Sequence, residues 1–238
     1  MDYKEKYYKY KTKYLHLRNN LNLTEYGKKN NIENKIDSTQ TEFDHALQNM
    51  YFIHESNDIN TIIKILKSGI LKPGKDVKKC ERKFSGGEAQ EYIYSNIYFD
   101  DIKNIDRTMV PSILLHPNII KDFDVIMNKG WRCKPMKNSI IINKKDTLYD
   151  KLNKLKKMYK FIETLDGLHN YEKNGPGHLQ HEILLSKQID IHKYALGITC
   201  EPQHVKMLKK VISKYDYDIK IIPLLPNELL VKNPRELF

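Results

Sequence analysis

Two polar residues stand at the ends of apolar runs. Met50-Tyr51-Phe52-Ile53 reads as a buried strand, and His54 ends it just ahead of a helix start. Glu182 leads the apolar run Ile183-Leu184-Leu185, which also reads as a buried strand. A carboxylate in that position is expected to be exposed at the mouth of the sheet, where it can meet a ligand. Taken singly, each residue also fits a plainer role, a solvated strand end for Glu182 and a hydrogen-bonded strand-end imidazole for His54. His178-Leu179-Gln180-His181 has metal-like spacing with His169 nearby, yet spacing alone supplies no ligand geometry, and no metal site is expected. The chain lacks a Walker loop, G-x-G-x-x-G, G-x-S-x-G and H-E-x-x-H, which excludes the simplest nucleotide-binding, hydrolase and zincin readings.

These residues need strands and helices to hold them. Asn57 or Asp58 can cap a helix whose apolar face is Ile59, Ile62, Ile63 and Leu66, and Gly69 can end it in a left-handed conformation. Residues 72–91 form a charged loop. Residues 92–99, 112–115 and 139–142 are strand candidates. Asp146 or Thr147 can cap a second helix carrying Leu148, Leu152, Leu155, Tyr159 and Ile162 on one face. Gly175-Pro176-Gly177 breaks the polar loop that follows. Strands are expected at 182–185 and 194–199. A helix then opens near Pro202 with Val205, Leu208, Val211 and Ile212 inward, and a last strand at 219–222 is stopped by Pro223 and Pro226. Strands outnumber helices and are mostly not separated by them, which favours an α+β fold over a doubly wound sheet.

The chain of 238 residues divides, on this reading, into three parts. Residues 1–21 form an amphipathic helix, with Tyr3, Tyr7, Tyr10, Tyr14, Leu17 and Leu21 on one stripe and lysines on the other positions. That seam is shorter than three heptads of a coiled coil and suits self-association or docking on a partner. Residues 22–46 read as a linker, since Asn, Thr, Ser and Gly break any period, and residues 47–238 as the folded domain.

Composition narrows the setting. Three widely spaced cysteines, Cys80, Cys133 and Cys200, argue against a disulfide framework and for a reducing, intracellular setting. No apolar run is long enough to span a bilayer, and no secretory signal opens the chain. The net charge of +11 suits an acidic partner, nucleic acid first, although lysine is spread along the whole chain as an AT-rich genome would produce. A non-catalytic, basic, nucleic-acid-binding structural protein is therefore the alternative to an enzyme.

Two stretches carry a family resemblance. Phe52-Ile53-His54-Glu55-Ser56-Asn57-Asp58-Ile59-Asn60, running on to Gly69-Ile70-Leu71, resembles the opening of NAD-dependent ADP-ribosyltransferases, in which a strand ends in His-x-Ser/Thr and the next helix closes on Gly-Leu. Gln180-His181-Glu182-Ile183-Leu184-Leu185 is similar to the strand that carries that family's catalytic glutamate, and Gln180-x-Glu182 to its Q-x-E element. The ending, a helix and then Ile219-Lys220-Ile221-Ile222-Pro223, resembles the DNA-modifying toxin branch. Residues 7–15, Tyr7-Tyr8-Lys9-Tyr10-Lys11-Thr12-Lys13-Tyr14-Leu15, resemble the starts of giant DNA virus proteins, which suggests a viral factory or virion address.

The resemblance implies split mixed or antiparallel sheets with flanking helices and NAD as the substrate. It implies that Glu182 stabilises an oxocarbenium-like transition state and Gln180 orients the acceptor, a protein or a nucleic acid. His54, Ser56 and Asn60 would hold the dinucleotide. Tyr92, Tyr94 or Tyr98 would supply the aromatic that stacks on nicotinamide, and Tyr98 fits best. Arg82 and Arg107 are candidates for the branch's arginine, and neither sits in a matching motif.

Overall fold

The computed structural model describes residues 31–56, 58–76, 91–99, 111–129, 134–163 and 181–225. The N-terminal seam at 3–21, Arg82, Arg107, His169, His178 and Gln180 lie outside the described residues. Contacts divide the chain into Met1–Ser38 and Thr39–Phe238.

Helix α1, Asn31–Gln48, occupies most of the stretch expected as linker. Its Phe43 and Leu47 are buried in the main core, so the folded unit takes in residues ahead of 47. The polar composition of 31–46 hid the helix, because few apolar residues carry its inward face.

Among the described residues, eight strands form one sheet. They are β1 (Met50–Glu55), β3 (Ile93–Phe99), β4 (Ser112–Leu115), β5 (Val125–Met127), β6 (Ile140–Ile142), β7 (Glu182–Leu185), β9 (Ala195–Cys200) and β10 (Lys220–Pro223). Their order across the sheet is β10-β9-β4-β1-β3-β7-β5-β6. Neighbours run antiparallel except β9 and β10. A separate two-stranded ribbon pairs β2 (Ile70–Leu71) with β8 (Ile189–Asp190). The fold is α+β, as the strand-rich sequence predicts.

Helix α2 (Ile59–Ser68) follows β1 and is capped by Asp58, whose carboxylate accepts from the Thr61 backbone N–H at 3.0 Å. Its end is Gly69, at φ 71°, whose N–H reaches Ile65 O at 2.9 Å, the left-handed stop that glycine adopts without a Cβ clash. A short helix α3 (Ile119–Asp122) leads to β5. Helix α4 (Leu148–Glu163) starts after Thr147, whose hydroxyl accepts from the Asp150 N–H at 3.2 Å and donates to the Asp150 carboxylate at 2.6 Å. One turn, α5 (Ile191–Tyr194), precedes β9, and α6 (Val205–Lys214) links β9 to β10. Among the described residues, no helix is long and apolar enough to cross a membrane.

Residues directly opposite one another in an antiparallel pair project to the same face. One face carries Phe52, Ile97, Ile113, Leu115, Ile183 and Leu185, which join Ile62 and Leu66 of α2, Leu152, Leu155 and Met158 of α4 and Leu208 of α6 in a single core. The other face holds a smaller cluster of Tyr51, Ile53, Tyr98, Leu114 and Ile222. Polar side chains adjoin that second cluster.

Candidate active site on the central strands

Strands β1, β3 and β7 lie side by side at the centre of the sheet. Ile53 on β1 faces Asn96 on β3, and Asn96 faces Glu182 on β7. These three side chains therefore share the face opposite the helices. Two strand spacings put the backbones of His54 and Glu182 about 10 Å apart, but His54 is in register with Ile113 of the helix-covered face, so its Cβ leaves β1 on the side opposite Glu182.

Glu182 is buried, at 1% exposure, which corrects the expectation of a carboxylate exposed at the sheet mouth. The cause lies in the neighbouring strands. Glu182 opens β7 in sequence, yet its level in the sheet is the middle of β3, and Asn128 beyond β5 closes its other flank. The Asn128 amide donates to Glu182 Oε2 at 3.2 Å, and the Asn128 backbone N–H donates to Glu182 O at 2.8 Å. Asn96, on the other side, donates to Glu55 Oε1 at 3.0 Å. Two carboxylates, Glu55 and Glu182, thus flank one amide on the same face. Such a row can offset positive charge that develops on a bound substrate.

His54 is half-buried at the end of β1, and its Nδ1 lies 2.9 Å from Tyr94 O. A carbonyl oxygen only accepts, so Nδ1 carries the proton in this bond. Burial pushes the imidazole below its ordinary pKa, and the bond to Tyr94 opposes that shift more weakly. The neutral ring keeps Nε2 as an acceptor, suited to a sugar hydroxyl. Its ring centroid lies 6.3 Å from that of Tyr94.

Ser56 is buried where the chain turns from β1 into α2. Its N–H donates to Pro111 O at 3.0 Å and its hydroxyl to Asp58 O at 3.1 Å. Asn60 is exposed on the first turn of α2, where the Thr61 N–H already donates to the Asp58 carboxylate. Tyr98 shares the face of Glu182 and lies diagonal to it through Asn96, but it is buried and stacked on Tyr51 at 5.4 Å and 7°. Tyr92, in contrast, lines an open pocket of about 360 Å³ with Glu91, Lys134 and Pro135. Lys134 links that pocket to the buried row, because its carbonyl accepts from the Asn128 amide at 2.8 Å.

His181 points its ring to the helix side of the sheet, edge-on to Phe161 of α4 at 5.6 Å. It is buried, and its Nδ1 has no hydrogen-bond partner. Burial pushes its pKa down to about 4. Among the described residues, no group of three or more His, Cys, Asp or Glu side chains could hold a metal ion.

Sequence reasoning missed Glu55, Asn96 and Asn128. Asn96 carried a signal: an amide in the middle of an otherwise hydrophobic and aromatic strand has to find a polar partner. Asn128 carried less, since the three-residue strand before it was too short to recognise.

Known structures resemble this fold at low identity. DarT of Thermus sp. 2.9, in complex with carba-NAD+, aligns over 74% of this chain and 95% of its own, with 11% identity and a TM-score of 0.48. DarTG of Thermosipho africanus, in complex with ADP-ribose, aligns over 76% of this chain and 52% of its own, with 16% identity and a TM-score of 0.46. In sequence, the "Uncharacterized protein R11" of Acanthamoeba polyphaga mimivirus is 32% identical over 200 residues, 84% of this chain. The match spans 66% of that relative's length. A family model described as a family of unknown function (DUF5846) matches residues 47–165, half of the sequence, and the chain belongs to that family.

Proposed function

We propose that the protein cleaves the nicotinamide–ribose bond of NAD and transfers ADP-ribose to a macromolecular acceptor. The observation that carries this reading is that the two resembling stretches lie one strand apart at the centre of the sheet. His54 is the penultimate residue of β1, Glu182 opens β7, and β3 alone separates the two strands.

Breaking that bond builds an oxocarbenium-like transition state, as in glycoside cleavage. Glu182 hydrogen-bonds a ribose hydroxyl and offsets the positive charge on the sugar, in a site dry enough to strengthen the effect. Because the carboxylate is 1% exposed, entry of the ribose requires the side chains over it to move aside. His54 Nε2 accepts from the adenosine ribose, the Ser56 hydroxyl meets the nicotinamide ribose, and Asn60 offers its side-chain amide to the pyrophosphate. The aromatic stacking role expected of Tyr98 falls better to Tyr92. One face of the Tyr98 ring is taken by Tyr51, whereas Tyr92 borders open space. Gln180 retains its proposed role of orienting the acceptor.

A second observation bears on the acceptor and on the rival reading. Lys64 and Lys67 of α2 and Lys206, Lys209, Lys210 and Lys214 of α6 are exposed on two helices that pack together, and neither helix contains an acidic residue. Such a surface favours a nucleic acid, as acceptor or as the ligand of a non-catalytic binding protein.

Labelled NAD incubated with single-stranded DNA, RNA and protein extract separates these possibilities. Transfer of label by the wild type and its loss in Glu182→Gln support the transferase. Equal absence of label and of free nicotinamide in both, with binding to nucleic acid that weakens steeply with salt, leaves the binding protein.

A further inference from the structure

The buried amide beside Glu182 is more fully engaged than a space-filling residue needs to be. Asn128 is fully buried, and its side chain has one acceptor and two N–H donors to satisfy. Its Nδ2 donates to Lys134 O at 2.8 Å and to Glu182 Oε2 at 3.2 Å. Its Oδ1 accepts from the Ser139 hydroxyl at 2.5 Å. Ser139 is itself held, since its Oγ accepts from the Met136 N–H at 2.7 Å. The amide cannot be turned over without cost. A flip would set Oδ1 against a carbonyl oxygen and a carboxylate, both of which only accept.

We infer that Asn128 is a positioning residue for Glu182, with Ser139 fixing the direction of its amide. The inference rests on the transferase reading above. Asn128 acts on one carboxylate oxygen, Oε2. It steadies the carboxyl group, which has to face a developing cation, and prevents it from rotating away within the buried row. The backbone bond from Asn128 N–H to Glu182 O ties β7 to the same residue, so side chain and strand are located together. Ser139 stands at the entry to β6, on the stretch that also carries Lys134 and Pro135 of the open pocket. A ligand seated in that pocket would therefore press on the chain that holds the amide.

The test compares nicotinamide release from NAD by the wild type, Asn128→Asp, Ser139→Ala and Ser139→Thr, each normalised to its folded fraction. Asn128→Asp keeps the shape, removes both N–H donors and sets a second carboxyl group against Glu182. Ser139→Ala leaves Asn128 in place and frees its amide, and because Ser139 is only half-buried this variant is the safer one to fold. A roughly 10- to 100-fold fall in kcat for Asn128→Asp is expected, from displacement of the carboxylate, with KM for NAD little changed. Ser139→Ala should fall less, and Ser139→Thr, which restores the hydroxyl, should recover most of the loss. A purely structural role would lower the folded fraction and leave kcat and its recovery by threonine untouched. Unchanged kcat in both Asn128→Asp and Ser139→Ala, or a change confined to KM, overturns the inference alone. No nicotinamide release by the wild type overturns the transferase reading beneath it.

Discussion

On β1, Phe52 points to the face under the helices, while Tyr51, Ile53 and Glu55 point to the other. The same alternation on β7 sends Ile183 and Leu185 one way and Glu182 the other. Two faces made by alternate residues of the same strands are thus built from different chemistry. The helix-covered face is a continuous apolar core in which α2, α4 and α6 bury one stripe each. The opposite face holds a small aromatic and aliphatic cluster beside a polar row that runs Glu55, Asn96, Glu182, Asn128. The first kind of surface stabilises the fold by removing apolar area from water. The second lowers stability locally, because every buried polar group on it needs a partner, and such a cost is expected where a site has to do chemistry.

That division has measurable consequences, the largest on the aliphatic side. Leu208 is fully buried beneath α6. Leu208→Ala should destabilise the protein by about 2–5 kcal/mol, from lost transfer energy and the cavity left behind. The shift in the denaturant midpoint measures it, and a change below ~1 kcal/mol would mean the two faces are less distinct than described.

The imidazole of His181, also on the helix side, adds a pH dependence. Its pKa in the fold is about 4 against an ordinary 6.5, so between those values the unfolded chain binds the extra proton. The stability it contributes is complete above pH about 6.5 and is lost as pH falls toward about 4, by about 3 kcal/mol. Unfolding titrations over that window should show the slope, and His181→Phe should flatten it. An unchanged slope in the variant would assign the effect to other groups.

A smaller effect belongs to the turn between the faces. Asp58→Ala removes the side-chain acceptor for Thr61 N–H and should cost about 1 kcal/mol, seen as a modest drop in Tm. If Asn60 meets the pyrophosphate, removing this carboxylate should also tighten NAD binding, since a negative charge then leaves the helix start. Weaker binding would count against phosphate at that end of α2.

Much of this was legible in the sequence, and the reasons differ by element. Strands β1, β3, β7 and β9 announce themselves as short apolar runs, and α2 and α6 as apolar residues at helical spacing with a cap or a proline ahead and, for α2, a glycine behind. Helix α1 was hidden because Phe43, Ala46 and Leu47 carry its inward face in a run otherwise rich in Asn, Thr, Asp and Glu. His54 and Glu182 were legible as strand-end residues, but the burial of Glu182 was not. Burial depends on which strands lie beside it, and pairing of β7 with β3 and β5 is a long-range fact. The partners of Asn128 and Asn96 were hidden for the same reason: Glu182 and Glu55 are 54 and 41 residues away.

The most direct test of the contrast between the faces is nicotinamide release from NAD by the wild type, Glu182→Gln and Leu208→Ala, measured per folded molecule. The wild type should release nicotinamide, Glu182→Gln should be slower by roughly 100- to 1000-fold, and Leu208→Ala should match the wild type. Release by Glu182→Gln at the wild-type rate, or none from the wild type, would contradict the assignment of chemistry to the polar face.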